Sequence, residues 1–461
     1  MTGFCAPLTT VSTVLSANPR NCASLLADPS AGQEAIAAGV TTDTRTVKPG
    51  ELFLALEGER FDGHAFAQQA MDKGAIAAIA RKGVLPAETA FPYLEVDDTL
   101  VAYQTLGRWW RRQCNLPVVA ITGSVGKTTT KEIISAALGQ FGAVLKTQAN
   151  FNNEIGVPKT LLGIERSHDY AVVEMGMRGL EEIALLAQVA EPTVGLITNV
   201  GTAHIGRLGS REAIAQAKCE LLRELPAEST AVLNGDDALL METSTRYWSG
   251  STITYGLAQG DLRGEIAGDR VIVEDVSIPM PLPGRHNALN LLGAIATLKA
   301  LTLDWKKLSE GFTVSMPAGR SKMHRLPNDI LILDETYNAG AEAMKAALQL
   351  LADQPGRRRI AVLGTMKELG EQSVELHCQI GEAAQAMGLD QLLILADPAE
   401  AEAMVAGAGS MLTRTFDGHD ELALYIKEQM DKGDRFLFKA SRSVAMDKVV
   451  DRLLKDLKVE A

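Results

Sequence analysis

The stretch Thr122–Thr130 reads TGSVGKTTT; it follows the apolar run PVVAI and precedes a helical pattern. Strand, Gly-rich turn and helix in that order make a cradle for phosphate, because backbone N–H groups of the turn and of the helix N-terminus point at anionic oxygens. Gly123, Ser124 and Gly126 form the turn, Lys127 supplies a point charge, the Thr128 hydroxyl suits Mg²⁺, and Thr129 beside it is a further candidate for binding the nucleotide. The usual loop, G-x-x-x-x-G-K-[ST], would place Gly at position 121; this chain has Ile121 and the shorter G-x-x-G-K-T. ATP is the expected ligand.

The chain has 461 residues, 46% hydrophobic and 22% charged, an ordinary globular composition too long for one core. A net charge of −12, from 45 basic against 57 acidic residues, argues against nucleic acid or a membrane surface as partner, since both require a basic face. The first twenty residues lack a basic head followed by an apolar core, and no later run has the length of a membrane span. Cys5, Cys22, Cys114, Cys219 and Cys378 are scattered and lack C-x-x-C spacing, which suggests neither a disulfide framework nor a zinc site. A cytoplasmic protein is expected. Without a sustained coiled-coil seam, a monomer is the default.

Three α/β blocks are predicted. Residues 1–115 carry short strand-like runs, GELFLALEG and AIAAIARKG, around a helical segment with Phe66, Ala70 and Met71 on one face. In residues 116–315, PVVAIT, DYAVVE and TVGLITNV each lead into polar residues and then a helix, as parallel strands do. Residues 316–461 alternate ILIL, RIAVLG, LLILA and FLFK with helices, a second doubly wound, Rossmann-like domain.

Ligands of open α/β sheets sit beyond the carboxyl ends of the strands. Residues 122–128, Glu174, Asn199 and His204 all fall there in the central block, a candidate floor for phosphate and metal. Taken singly, Glu174 could equally be a solvated strand end and His204 an ordinary loop histidine. Lys218 falls on the apolar stripe of SREAIAQAKCELLREL, with Ile214, Leu221 and Leu222. It reads two ways: as a snorkelling lysine, or as a buried one whose neutral amine reacts with CO₂ to give a carbamate, an anionic ligand for Mg²⁺.

These residues together resemble the ATP-dependent Mur ligases, which extend the peptide stem of the cell-wall precursor. The resemblance rests on TGSxGKT, Glu174, the TAH segment with His204, AKCE with Lys218, GRHNALN from Gly284 to Asn290, and Arg320 in PAGR. It implies that Lys127 binds phosphates, that Thr128 and Glu174 hold one Mg²⁺, and that His204 with carbamylated Lys218 holds a second. It further implies that Asn287 and Asn290 lie on the adenine side and that Arg320, Asp334, Tyr337 and Asn338 reach the nucleotide from the last domain.

The pattern is most similar to the branch that joins D-alanyl-D-alanine to a UDP-N-acetylmuramoyl tripeptide, through NFNNEIGVPKTLL, DETYNAG, LGTMKELGE and KASRS. TTDTRTVKPGELFLALEGERFDGHAF resembles the uridine-nucleotide-binding domain shared with the preceding branch, whose D-N-P-R segment is missing here. Thr44, Arg45, Asn150, Asn152, Asn153, Ser441 and Arg442 are the implied substrate contacts. Gly340, Thr365 and Ala440 depart from the usual YNAN, GDM and KGSR, which removes a carboxylate at position 365 and puts the detailed contacts of the Tyr337 and Ser441 loops in doubt. The alternatives are another amide ligase, of the preceding branch or like folylpolyglutamate synthase, and a nucleotide-binding regulator that makes no bond.

Overall fold

A computed structural model describes residues 3–26, 35–58 and 61–459. The strand Val118–Thr122, which ends in the predicted phosphate loop, is buried along its whole length. Successive side chains of a strand point to opposite faces, and both faces are covered here. Val119 and Ile121 share a core with Ile133, Ile134, Leu291 and Leu292, from the helices Lys127–Leu138 and Arg285–Ala300. Val118 and Ala120 face the core built by Val157, Leu161, Ile183, Leu186 and Leu221 on the other side.

This strand lies third from one edge of a nine-stranded sheet. The order begins Val144–Lys146, Tyr170–Glu174, Val118–Thr122, Val194–Ile197, Thr230–Asn234, Ser251–Gly256. All these pair in parallel, and so does Leu262–Ala267 beyond them. Arg270–Val273 and Val276–Pro279 then extend the edge antiparallel, an extension that the sequence reading did not anticipate.

A six-stranded sheet follows in the order Lys322–Leu326, Ile330–Glu335, Asp434–Lys439, Arg358–Gly364, Gln391–Leu395, Leu412–Thr415. Only its first pair is antiparallel, and its four predicted strand-like runs are all strands. Ahead of both, a five-stranded sheet contains Leu52–Leu54, Ala77–Arg81 and Tyr93–Val96, running parallel. The chain is therefore mixed α/β in three units. Among the described residues, no helix is long and apolar enough to cross a membrane.

The helix Thr99–Gln113 joins the first sheet to the second, and Asp98 caps it by accepting a hydrogen bond from Val101 N (2.9 Å). It packs on central-unit elements: Gln104 Nε2 donates to Glu154 O (3.3 Å), Trp110 Nε1 to Ile164 O (3.0 Å), and Arg108 and Arg112 both pair with Glu191. Phe4 closes the same corner, its ring 5.3 Å from that of Trp110.

A Trp110→Phe variant keeps an aromatic ring here and leaves the buried Ile164 carbonyl unpaired. Its unfolding free energy is expected to fall by about 1–2 kcal/mol, read as a lower urea midpoint at unchanged slope.

Candidate active site

The phosphate loop has its tight conformation because two residues without side chains occupy the positions where φ is positive, Gly123 (148°) and Gly126 (84°). A Cβ on Gly123 would stand 1.9 Å from Thr198 Oγ1, so only glycine fits. The strand ending in Ile197 supplies the braces. Thr198 Oγ1 and Asn199 Nδ2 donate to Val125 O (2.6 and 3.0 Å), Asn199 Oδ1 accepts from Val125 N (3.0 Å), and Ser124 Oγ accepts from Gly201 N (2.8 Å). Lys127 turns its ammonium back onto the carbonyls of Gly123 (2.7 Å) and Ser124 (3.2 Å). Burial pushes its pKa down, Glu174 opposes that, and Arg320 reinforces it.

Thr128 and Glu174 converge as the loop requires: Thr128 Oγ1 donates to Glu174 Oε2 at 2.9 Å, and Asn152 Nδ2 donates to Glu174 Oε1 at 2.8 Å. Behind them, Lys131 is buried with its ammonium 3.0 Å from Glu132, 3.8 Å from Glu174 and 2.9 Å from the Thr147 carbonyl it donates to. Lys146 also pairs with Glu132. Lys131 thus places a buried ammonium beside the carboxylate that ends an otherwise apolar strand.

His204 stands in the left-handed region (φ 67°), a costly conformation for a residue with a side chain and one that clusters at functional sites. Its Nδ1 lies 2.6 Å from Glu368 Oε2, within ion-pair distance but out of hydrogen-bond alignment. Burial lowers its pKa, Glu368 raises it, and Lys127 and Lys218 lower it further. Lys218 is buried in the helix Arg211–Arg223, and no carboxylate among the described residues is within ion-pair distance of it. Burial, and after it Lys127, holds its pKa far below the usual lysine value, so the neutral amine is accessible.

The third sheet brings Arg320 to this cleft, its guanidinium stacked 4.0 Å above the Tyr337 ring. Asp334 Oδ1 accepts from the backbone N–H (3.2 Å) and hydroxyl (2.7 Å) of Thr336, and its Oδ2 lies 3.6 Å from His324 Nε2. The Asn338 carbonyl accepts from buried Lys439 (3.0 Å). Asn290 Oδ1 accepts from Thr130 Oγ1 (3.1 Å), its Nδ2 donates to Asn287 Oδ1 (3.1 Å), and Asn287 Nδ2 donates to Pro283 O (2.7 Å). These two amides thus link the phosphate-loop helix to the helix Arg285–Ala300.

The remaining candidates are spread more widely. Arg45 is bonded to Asp43, whose carboxyl its guanidinium holds down at about 2, and Thr44 donates to Gln69 Oε1 (3.0 Å). Lys159 of the central unit adds to that lowering of Asp43, so the two units face one another at this loop. Asn150 is exposed, and Asn153 Oδ1 accepts from Gly156 N (3.0 Å). Ser441 is buried and accepts from Lys367 N (2.9 Å), while Arg442 pairs with Asp447 (2.7 Å). The sequence reading missed Lys131, Glu132 and Glu342, and quoted Glu368 and Lys439 only as members of LGTMKELGE and KASRS, without a role of their own. Lys131 lies one helical turn beyond Lys127, a spacing that gave the available signal; the others depend on contacts far apart in the chain.

The donor set fits Mg²⁺, a hard cation that prefers oxygen: a hydroxyl and a carboxylate already meet at Thr128 and Glu174. His204 Nδ1 lacks a hydrogen-bond partner among the described residues, and Lys218 becomes a ligand only as a neutral amine or its carbamate.

Three family descriptions match the chain: "Mur ligase family, catalytic domain" over residues 37–100, "Mur ligase middle domain" over 121–298, and "Mur ligase, glutamate ligase domain" over 319–442. A UDP-N-acetylmuramoyl-tripeptide--D-alanyl-D-alanine ligase of Synechocystis is 54% identical over 90% of this chain and 91% of its own length. The chain belongs to the MurF branch of the Mur ligases. Solved Mur ligase structures superpose along nearly its whole length. MurF of Acinetobacter baumannii does so with a TM-score of 0.87 at 29% identity, covering 99% of this chain and 100% of that one. The MurF ligase of Thermotoga maritima in complex with ADP gives 0.80 at 30% identity, covering 92% and 98%.

Lys218 in this Mur ligase generates a stability test. Its folded pKa is depressed, so the unfolded chain binds more protons at neutral pH, and the penalty for burying it fades as pH rises toward the ordinary lysine range. In CO₂-free buffer, Lys218→Met is expected to melt a few degrees above wild type at pH 7, with an advantage that shrinks as pH rises. Thermal melts across that range check both the sign and the slope.

Proposed function

We propose that this Mur ligase joins the amine of D-alanyl-D-alanine to the terminal carboxyl of UDP-N-acetylmuramoyl tripeptide, converting ATP to ADP and phosphate. The observation that carries this is the convergence of the phosphate loop, the Thr128–Glu174 pair and Arg320 in a chain 54% identical to a ligase of that name. The product is the pentapeptide precursor of the cell wall. We take it to work as a monomer in the cytoplasm, beside its nucleotide substrates.

Joining a carboxylate to an amine in water is uphill unless the carboxylate oxygen becomes a leaving group. A tripeptide carboxylate oxygen attacks the γ-phosphorus, the bond to the bridging oxygen breaks, and ADP departs with that electron pair. The dipeptide ammonium, having shed one proton, attacks the acyl phosphate carbon as the neutral amine, and the tetrahedral species expels phosphate while the second nitrogen proton passes to the departing phosphate or to water.

Positioning and charge do most of the catalytic work. In the turn shaped by Gly123 and Ser124, the backbone N–H groups from Gly126 to Thr129 cradle the phosphates, and Lys127 leaves its loop carbonyls for them. Asn287 and Asn290 border the adenine; Arg320, Asp334, Tyr337 and Asn338 close over the nucleotide. Thr128 and Glu174 would hold one Mg²⁺, and His204 with carbamylated Lys218 a second, and the cations would supply positive charge to phosphate oxygens. Thr44 and Arg45 meet the uridine-nucleotide end of the substrate, Asn150, Asn152 and Asn153 the region near the reacting carboxyl, and Ser441 and Arg442 the dipeptide side. The units divide at about 115/116 and 315/316, with a hinge near Met316 that shields the acyl phosphate from water.

The test is phosphate release from ATP and Mg²⁺ with UDP-N-acetylmuramoyl tripeptide, with and without D-alanyl-D-alanine. Release that requires the dipeptide, with a product heavier by the dipeptide, is expected; release unaffected by any acceptor would overturn the assignment. Lys127→Ala is expected to lower turnover about a hundredfold to a thousandfold without changing the fold. Intact mass under bicarbonate is expected to show one added carboxyl group that Lys218→Met lacks.

A further inference from the structure

The loop Gly201–Leu208, which carries His204, is held by two different units. On its own side, Val200 N donates to Asp237 Oδ2 (2.6 Å), Gly201 N donates to Ser124 Oγ of the phosphate loop (2.8 Å), and Arg211 bonds the Val200 carbonyl (2.9 Å). The next residue has its partner elsewhere. Thr202 donates its backbone N–H to Glu342 Oε1 (2.8 Å) and its hydroxyl to Glu342 Oε2 (3.1 Å), and Glu342 stands in the first turn of the third unit's helix Ala341–Ala352.

The fit leaves no spare room, since a Cβ on Gly201 would come within 2.7 Å of the Glu342 carboxyl carbon. A second grip lies four residues on. Gly206 N donates to the Glu368 carbonyl (3.3 Å), and a Cβ on Gly206 would sit 2.5 Å from Gly370 N. The glutamate is therefore more than a favourable charge at the start of its own helix. Both its oxygens are engaged across the boundary, on a residue whose neighbour braces the phosphate loop.

We infer that Glu342 is a positioning residue which, by clasping Thr202, transmits docking of the third unit through Gly201 to Ser124 and sets the phosphate loop and the His204 loop for reaction. The inference rests on the ligase reading for its kinetic consequence, while the clasp itself is a statement about the fold. Docking of the third unit and organisation of the phosphate site become one event, because Thr202 loses both hydrogen bonds if that unit swings away. Nucleotide alone, bound before docking, then meets a less ordered loop than nucleotide with both substrates. Bidentate hydrogen bonding to a carboxylate is directional, so displacing it shifts the loop rather than merely weakening a contact.

The experiment pairs kinetics with hydrogen exchange on the full chain. Glu342→Ala is expected to lower kcat about tenfold with KM for the dipeptide changed less than about twofold, since the loss is of alignment and not of substrate contacts. Thr202→Val is expected to lower kcat less, because its backbone N–H remains, and Thr202→Ser to restore wild-type values. The Glu342→Ala/Thr202→Val double variant is expected to be no slower than Glu342→Ala alone. A kcat within about twofold of wild type for Glu342→Ala, or effects that multiply in the double variant, would overturn the inference. Amide exchange across 201–208 is read in parallel and needs no activity: faster exchange in Glu342→Ala at an unchanged melting temperature supports the clasp, and unchanged protection refutes it. If wild type releases no phosphate in response to the dipeptide, the ligase reading fails, and exchange alone decides the clasp.

Discussion

Three cations face one cleft with too few anions to neutralise them, and much of the active-site architecture answers to that imbalance. Arg320 adds to the lowering of Lys127 and Lys127 to that of Lys218, whereas Glu174 is the carboxylate that acts on Lys127. A buried positive field of this kind is expensive unless an anion enters, and the cost is tolerable when the native state exists to bind one. The protein limits the expense locally. Lys127 rests on its own loop carbonyls, Lys218 is held toward its neutral form, and Arg320 spreads its charge over the face of Tyr337. Each arrangement can be given up when polyphosphate arrives, so the site is poised for its ligand.

The same logic organises the boundary with the third unit. Buried Lys439 is pushed down by burial, supported by Glu335 and opposed by Arg320, while His286 at the start of the helix Arg285–Ala300 is pushed down by burial and feels both Glu335 and Lys439. The charges of that unit thus meet the elements that frame the nucleotide cradle. Glu342 and Glu368 add acceptors on the loop of His204. The lobes meet through polar groups that can exchange partners with ligand or water, as expected of surfaces that open and close in each turnover.

Much of this was legible in the chain because its chemistry is local. The loop TGSVGKTTT carries its turn, charge and hydroxyl within nine residues, and the apolar runs of both larger sheets became strands because a strand covered on both faces must be apolar throughout. Lys218 was legible as a dilemma, and its burial, with no carboxylate partner among the described residues, speaks against the snorkelling reading. The pair Lys131–Glu132 escaped notice because adjacent opposite charges on a helix usually point to solvent, and only the packing of Thr147 and Glu174 against them makes the site interior. Glu342 carries no local signature, and Glu368 stands out only as a member of LGTMKELGE: each acts on a loop more than a hundred residues away. The antiparallel edge Arg270–Pro279 was hidden for another reason, since its strands are short and half-exposed and so lack the continuous apolar run that marked the others.

The three departures from the branch's usual sequence show how a fold absorbs change near a site. Thr365, where a carboxylate is usual, accepts a hydrogen bond from Asp397 N through its hydroxyl (2.8 Å), and its carbonyl accepts from Ser441 N (3.1 Å). It therefore ties the loop after Arg358–Gly364 to two neighbouring loops without adding charge. Lys367, two residues on, pairs with Asp397, so an acidic side chain is still supplied to this loop, but from the adjacent strand end. Ala440, where glycine is usual, is fully buried, and a Cβ on Gly364 would approach its methyl to 2.8 Å. Gly364, which the usual GDM also carries, leaves the room this methyl occupies, so no side chain fits at 364 beside Ala440. Gly340 adopts extended backbone at the start of Ala341–Ala352, a conformation open to any residue, so its identity is set by neither strain nor crowding. What the helix start does require is a side chain at the following turn that reaches across the cleft, and Glu342 meets that requirement two residues later.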